Sequence, residues 1–273
     1  KNFTLYIGND ASPNDPSNLI NKYFNEDDYH YFDYKDNLGG KNLALQWERI
    51  LENVTEEWFQ ILGDDDMIAD NFVEEFYKNI HLAENVIRVN RKAFDESNKL
   101  IREDRIESDK IPSVDLFIMG LLEKTVTSLS EFIFRTNQYK KYKFEKISLA
   151  WGSDVLAFMQ FSDFKDILNL NSTEVYVKVT SKSITGNKTQ AIEVKKHLAF
   201  NHFRKILLEK HSKYLPSNII EMLMREYLNT CINYRKYPNI KLYKVYLKNG
   251  DFKRYLKKNY RRLLVIKNIL INE

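Results

Sequence analysis

The chain has 273 residues, 43% of them hydrophobic and 29% charged, with a formal net charge of +4. That balance excludes an intrinsically disordered polymer. The one cysteine, Cys231, excludes a disulfide framework, and no apolar run approaches the roughly 20 residues that a membrane-spanning helix needs.

There is no visible signal peptide, so a cytoplasmic location is expected. The chain opens at Lys1 rather than Met and need not begin where its gene does. Seventeen Tyr and 17 Phe against only 8 Gly and 5 Pro predict long elements around a substantial core. Charge is divided along the chain. From Ala191 onward there are 19 Lys+Arg against 6 Asp+Glu, whereas residues 1–190 hold 23 against 32. Opposite fields suggest two jobs, so residues 1–190 are expected to form one domain and residues 191–273 a basic helical appendage.

Phe3–Ile7 reads as a strand running into the loop Gly8–Pro16, and Asp15-Pro16 starts a helix through Leu19, Ile20 and Phe24. Tyr29–Tyr34 is a second strand. After the loop Asn37–Gly40, apolar Leu43, Ala44, Trp47, Ile50 and Leu51 recur at helical spacing. Trp58–Leu62 is a short buried strand ending at Gly63-Asp64-Asp65-Asp66. A helix over Phe72–Ile80 and a strand over Val86–Val89 follow. Arg91–Lys110 is so charged that a long surface connection is expected. Helices are expected at Val114–Leu122 and Ser153–Phe161, and strands at Ser128–Arg135 and Asn171–Ser181. The basic region predicts helices at Ala191–His211, Asn218–Asn233 and Asp251–Ile271. Strands alternating with helices indicate an α/β fold, a mostly parallel sheet flanked by helices, with ligands at the carboxyl ends of its strands.

Two acidic loops lie just past such strand ends. In Asp64-Asp65-Asp66 the three adjacent carboxylates repel one another, and a hard divalent cation would relieve that cost. A solvated turn whose last Asp caps the next helix is the competing reading. Asn9-Asp10-Ala11-Ser12 is ordinary turn chemistry by itself, and its position gives it interest. Asp154, flanked by apolar residues, is a candidate general base or a helix cap. Lys41, beside the glycine pair, could meet a phosphate. The five His show no ligand spacing, and no Walker loop, G-x-G-x-x-G or G-x-S-x-G is present.

Taken together, these pieces resemble the family 2 glycosyltransferases of GT-A fold, in particular those of bacterial surface-polysaccharide synthesis. Asn9–Asp15 is similar to the family's D-D-x-S-x-D, Asn37-Leu38-Gly39 to its N-x-G, and Trp58–Asp66 to its strand and DxD-like loop. Ser128–Arg135 and Ala150–Asp154 are similar to its later segments, over roughly residues 1–205. The resemblance implies an inverting, metal-assisted transferase with Mn²⁺ or Mg²⁺, a nucleotide-diphosphate donor such as a UDP-sugar, and a glycan or lipid-linked glycan acceptor. Asn9, Asp10, Ser12, Lys41 and Asp64 would then contact the nucleotide, Asp65 and Asp66 the metal, and Asp154 would deprotonate the acceptor. Asn9 and Gly63 depart from the pattern, each standing where the family has Asp.

Phe3–Ile7 matches the family's second strand, so a first strand is missing, and the rest are expected to close up or to pair across a homodimer. An inactive binding relative is the alternative. In the basic region Tyr255, Leu256, Tyr260, Leu263 and Leu264 can form an apolar stripe suited to an anionic membrane surface or a partner enzyme, the competing reading being a helical cap packed on the sheet with a solvated basic face. No nucleic-acid recognition motif is present, so no nucleic-acid partner is expected.

Overall fold

The computed structural model describes residues 3–236 together with Pro238, Asn239, Lys241, Leu242 and Val245. The expected helix Asp251–Ile271 and its apolar stripe lie outside the described residues. The chain divides into two compact units, the first Lys1–Asn187 and the second beginning at Lys188.

Among the described residues the first unit holds two sheets. Strands β1 (Leu5–Asp10) and β2 (Tyr29–Tyr34) are parallel, with Leu5 opposite Tyr29 and Asp10 opposite Tyr34. The helix α1 (Ser17–Tyr23) makes the crossover. Its start is fixed by Asp15, whose Oδ1 accepts the Ser17 N–H at 2.9 Å and the Ser17 hydroxyl at 2.6 Å. Helix α2 (Leu43–Leu51) packs against β1. A Cβ on Gly8 would clash with Ile50 Cδ1 and Cγ1, so the glycine lets β1 lie close against the Ile50 side chain of the helix. Among the described residues β1 and β2 pair only with each other, as a separate two-stranded sheet, and the closing-up expected from the sequence does not occur there.

The larger sheet has seven strands: β3 (Trp58–Gln60), β4 (Met67–Ile68), β5 (Val86–Phe94), β6 (Leu100–Asp104), β7 (Lys110–Pro112), β8 (Phe132–Arg135) and β9 (Asp166–Lys178). Their order is β3-β8-β5-β9-β4, with β6 on β5 and β7 on β9. Parallel pairing forms the spine, along β5 and β9, and the strands added around it are antiparallel. Helices α3 (Phe72–Asn79), α4 (Ser113–Leu121), α5 (Thr136–Tyr142) and α6 (Ser153–Phe161) accompany this sheet. One face buries Ile87, Val89, Ile133, Leu168, Leu170 and Val175 against Phe72 of α3. On the other face the rings of Phe132 and Phe158 lie 5.0 Å apart and those of Phe134 and Phe161 5.1 Å apart, which seats α6 on β8. Each such side chain contributes roughly 1.5–3 kcal/mol by leaving water.

The expected surface connection over Arg91–Lys110 is corrected. Strand β5 continues to Phe94 and turns back through β6. Asp95 Oδ1 closes the hairpin by accepting the N–H groups of Ser97 at 2.9 Å and Lys99 at 3.0 Å. Arg91 and Asp104 are buried and paired, Nη1 to Oδ2 at 2.9 Å. A charge-rich segment reads as solvated, but here the charges neutralise one another across the hairpin. The expected strand Ser128–Arg135 opens instead with a 3₁₀ turn, Leu129–Glu131, before β8.

The second unit contains α7 (Gln190–Ile206), continued by a π turn at Leu207–His211, and α8 (Ser217–Asn233), as the periodicity predicts. Cys231 is buried on α8, and burial pushes its thiol pKa up, which suits a packing role.

Candidate functional site

The first candidate motif lies at the end of β1. At its end Asp10 spends its carboxylate on the chain itself. Oδ1 accepts the Leu38 N–H at 2.9 Å, Oδ2 accepts the Gly39 N–H at 2.7 Å, and Arg49 Nη2 donates to Oδ1 at 2.5 Å. Arg49 Cζ lies over the Tyr34 ring, 3.5 Å from its centroid. A Cβ on Gly39 would lie 2.6 Å from Asp10 Oδ2, which explains the glycine at this close approach. Asp10 therefore pins the Asn37–Gly40 loop to the strand end.

Its neighbour Asn9 accepts the Ser12 N–H at 2.9 Å and donates to Asp33 Oδ1 at 3.1 Å. The Ser12 hydroxyl accepts the Asn14 N–H at 3.4 Å. Lys41 is exposed just before α2. Asn42 then caps α2 by accepting the Ala44 N–H at 3.0 Å, while its Nδ2 donates to the Ile147 carbonyl at 3.2 Å. That second bond ties the loop before α2 to the segment leading into α6.

The backbone of that segment is strained. Leu149 has φ 59° and Ala150 φ 49°, and Gly152, at φ 90°, precedes α6. Left-handed conformations at Leu and Ala are uncommon, and such strain concentrates at functional sites. Ser153 Oγ anchors the turn by donating to the Glu145 carbonyl at 2.7 Å. Asp154 follows, partly buried in the first turn of α6. Burial pushes its carboxyl up to about 6; bonds from the Val155 and Asp154 N–H groups oppose the shift, and the charge of Glu131 adds to it. A carboxylate with its pKa near neutrality is suited to taking a proton.

The acidic loop is a tight turn in which Asp66 N–H meets the Gly63 carbonyl at 3.2 Å. A Cβ on Gly63 would lie 3.1 Å from Asp65 Oδ1 and 3.2 Å from Asp66 Oδ2, a tight fit to which these two carboxylates would have to yield by a few tenths of an ångström. Asp64 and Asp65 face outward. Partial burial raises the pKa of Asp65, and repulsion from Asp66 and Asp64 raises it further. Asp66 turns inward: Oδ2 accepts the Ser130 hydroxyl at 2.5 Å and Oδ1 the Lys178 N–H at 3.0 Å.

Among the described residues no group of three or more His, Cys, Asp or Glu forms a ready-made metal cage. The oxygen-only donors Asp64 and Asp65, one of them destabilised by its neighbours, nevertheless fit a hard divalent ion shared with a phosphate ligand.

Ser130 has Glu131 beside it. Glu131 is fully buried, accepts from Arg88 Nε at 2.8 Å and from the Ser128 N–H at 3.0 Å, and lies 3.7 Å from Arg91 Nε. Burial raises its pKa against the pull of Arg88 and Arg91. One turn thus grips the acidic loop through Ser130 and acts on Asp154 through Glu131. Sequence reasoning missed this turn, together with Arg88, Arg49 and Asn42. The available signal was Ser128-x-x-Glu131, a capping-box spacing that is indeed realised here.

The fold defined by this layout is GT-A-like, an α/β sheet flanked by helices. Among solved structures the chain is similar to S. aureus TarS residues 1–349, with a TM-score of 0.58 and 15% identity over 85% of this chain and 63% of that one. The same protein in complex with UDP-GlcNAc matches with TM-score 0.58 and 14% identity, over 85% of this chain and 64% of that one. Its complex with UDP matches with TM-score 0.52 and 14% identity, over 95% and 82%. The chain thus spans less than two thirds of the first of these neighbours. No family model matches the sequence, and no curated protein matches it.

Proposed function

We propose that this chain is a glycosyltransferase that moves a sugar from a nucleotide-diphosphate donor, a UDP-sugar, to a hydroxyl of a glycan or lipid-linked glycan with inversion. The observation that carries the proposal is Asp154. Its carboxyl follows a strained loop and has a pKa raised to about 6, chiefly by burial, with a smaller rise from the charge of Glu131, the residue next to the Ser130 that holds the acidic turn. The GT-A-like fold, shared with a neighbour solved with UDP and UDP-GlcNAc, supports the donor class.

In this reading the ionised Asp154 takes the proton of the acceptor hydroxyl. The acceptor oxygen forms its bond to the anomeric carbon on the face opposite the nucleotide, while the bond to the diphosphate oxygen breaks and its electrons leave with the diphosphate. Asp65, with Asp64 beside it, would hold Mn²⁺ or Mg²⁺, which when bound offsets charge growing on the diphosphate. Asp10 and Asn9 act by shaping the loops that border the nucleotide, and Lys41 stands free to meet a phosphate.

Turnover of a UDP-sugar panel with Mn²⁺ tests the reading. Asp154→Asn should keep donor binding while transfer falls about 10²-fold or more. Equal rates in variant and parent remove Asp154 from the chemistry, and tight donor binding by the parent without turnover would make the protein a binding relative. The basic excess after Ala191 supports docking on an anionic membrane surface. Flotation with anionic liposomes tests that, and a protein that stays at the bottom at low salt has no such affinity.

A further inference from the structure

We propose that Asp66 and Ser130 form a latch that sets the acidic loop, and that Asp66 works as a positioning residue while Asp65 meets the metal. This deepens the transferase reading and rests on it. The three consecutive aspartates are not equivalent. Asp64 and Asp65 are exposed, whereas Asp66 is half-buried with both carboxylate oxygens accepting bonds from the protein.

Ser130 closes the loop from both ends. Its hydroxyl accepts the Gly63 N–H at 3.5 Å and donates to Asp66 Oδ2 at 2.5 Å, and its carbonyl accepts from Gln60 Nε2 at 2.6 Å. The far end of the loop is fixed as well. Strand β4 pairs with β9, Met67 opposite Tyr176, and Asp66 Oδ1 takes the Lys178 N–H at the end of the same strand. Ser130 is itself buried and immobilised, because the adjacent Glu131 is locked to Arg88. A loop of adjacent like charges would otherwise splay. The latch commits one carboxylate to geometry and leaves the other two exposed to meet a cation. Groups behind a metal ligand commonly matter about 10–100-fold for metal affinity.

Calorimetry of UDP binding with and without Mn²⁺, together with thermal unfolding, tests the latch on the full chain. Asp65→Asn should lose the Mn²⁺-dependent part of the affinity by about tenfold or more. Asp66→Asn should stay within about threefold of the parent, because an amide can still accept from Lys178 N–H and donate to the Ser130 oxygen. Asp66→Ala and Ser130→Ala should each weaken the Mn²⁺-dependent part while leaving metal-free UDP binding in place. Their double variant should lose less than the sum of the two singles, because the Asp66–Ser130 bond is broken in both while the Lys178 and Gly63 bonds are lost in one each.

An Asp66→Asn loss equal to that of Asp65→Asn would make Asp66 a ligand and overturn the latch. Fully additive effects of Asp66→Ala and Ser130→Ala would overturn it too. If the parent binds no UDP at all, the transferase reading fails. The latch is then judged separately by whether the two alanine variants are non-additive in thermal unfolding.

Discussion

The two sheets of the first unit are built to different standards. In β5 the first six residues are all buried, Arg88, Asn90 and Arg91 among them, and the strand is bonded along both edges. In β1 no residue is fully buried, and among the described residues the strand pairs only with β2. Two strands alone are marginal in water, and β1–β2 relies on α2 beneath Gly8 and on the Tyr6 hydroxyl, which donates to Glu56 Oε2 at 3.0 Å. The difference separates two ways of satisfying charge. Asp10 is satisfied locally, by two backbone N–H groups and Arg49 at a half-open rim. Glu131 and Asp104 are satisfied deep inside, by arginines projecting from β5. The acidic turn and Asp154 border the rigid sheet, and the Asp10 motif borders the open one.

Removing a partner from the buried network should have the largest effect. Arg88→Ala leaves Glu131 without its closest cation, and Arg88 also donates to Asn169 Oδ1 at 2.9 Å. Breaking such a pair costs about 3–5 kcal/mol, to be read from urea unfolding. A loss under about 1 kcal/mol would mean that the network is more hydrated than its burial indicates.

Asp154 comes next. Its folded pKa of about 6 lies above the ordinary 3.8. The stability tied to its neutral form is therefore complete below about pH 3.8 and disappears as pH rises through about 6. Asp154→Asn should raise stability above pH 6 by up to about 3 kcal/mol and leave it unchanged near pH 3. Transfer runs the opposite way, since the base must be ionised. The parent rate should fall about tenfold per pH unit below 6 and level off above it. A rate flat from pH 4 to 8 would contradict the base assignment.

At the open rim the effects should be smaller. Asp10→Asn removes the charge facing Arg49 and one of two acceptors, at about 1–3 kcal/mol. Faster proteolysis near Asn37–Gly40 with unchanged exchange in β5 is the expected pattern.

The same contrast explains what could be read in the sequence. Tyr29–Tyr34, the α2 periodicity and the Ser153–Phe161 helix were legible because each shows one period between clear breakers. The acidic turn and Asp154 were legible as carboxylates at element ends. The hairpin β5–β6 was not, because buried arginines look like surface residues until their partners across the strand are known. Helix α5 was hidden in Thr136–Tyr142, which offers little apolar periodicity and is fixed by Tyr139 packing on Phe59, centroids 5.7 Å apart. The unequal roles of Asp64, Asp65 and Asp66 depend on Ser130, distant in sequence, and local pattern carries no trace of that contact.

The smallest predicted effect is the most direct test of whether the sheets are independent. Burial pushes the Glu56 carboxyl up, but hydrogen bonds from Thr4, its own N–H, Tyr6 and Thr55 outweigh it and hold the pKa below its ordinary value. The stability tied to this carboxylate is present above about pH 4.5 and is lost as pH falls through the lowered folded value. Tyr6→Phe deletes one of those bonds and nothing from the core, so global stability should change by less than about 1 kcal/mol. Hydrogen exchange resolves the change by location. If β1–β2 opens as its own unit, amides of Leu5–Asp10 and Tyr29–Tyr34 should exchange faster in the variant near neutral pH, and parent and variant should converge at low pH, where Glu56 is protonated in both. The amides of β5 and β9 should not respond at either pH, because none of their pairing involves β1. Equal acceleration in β5 would mean that the two sheets open together, and the rigid and open regions would then be one cooperative structure held by α2.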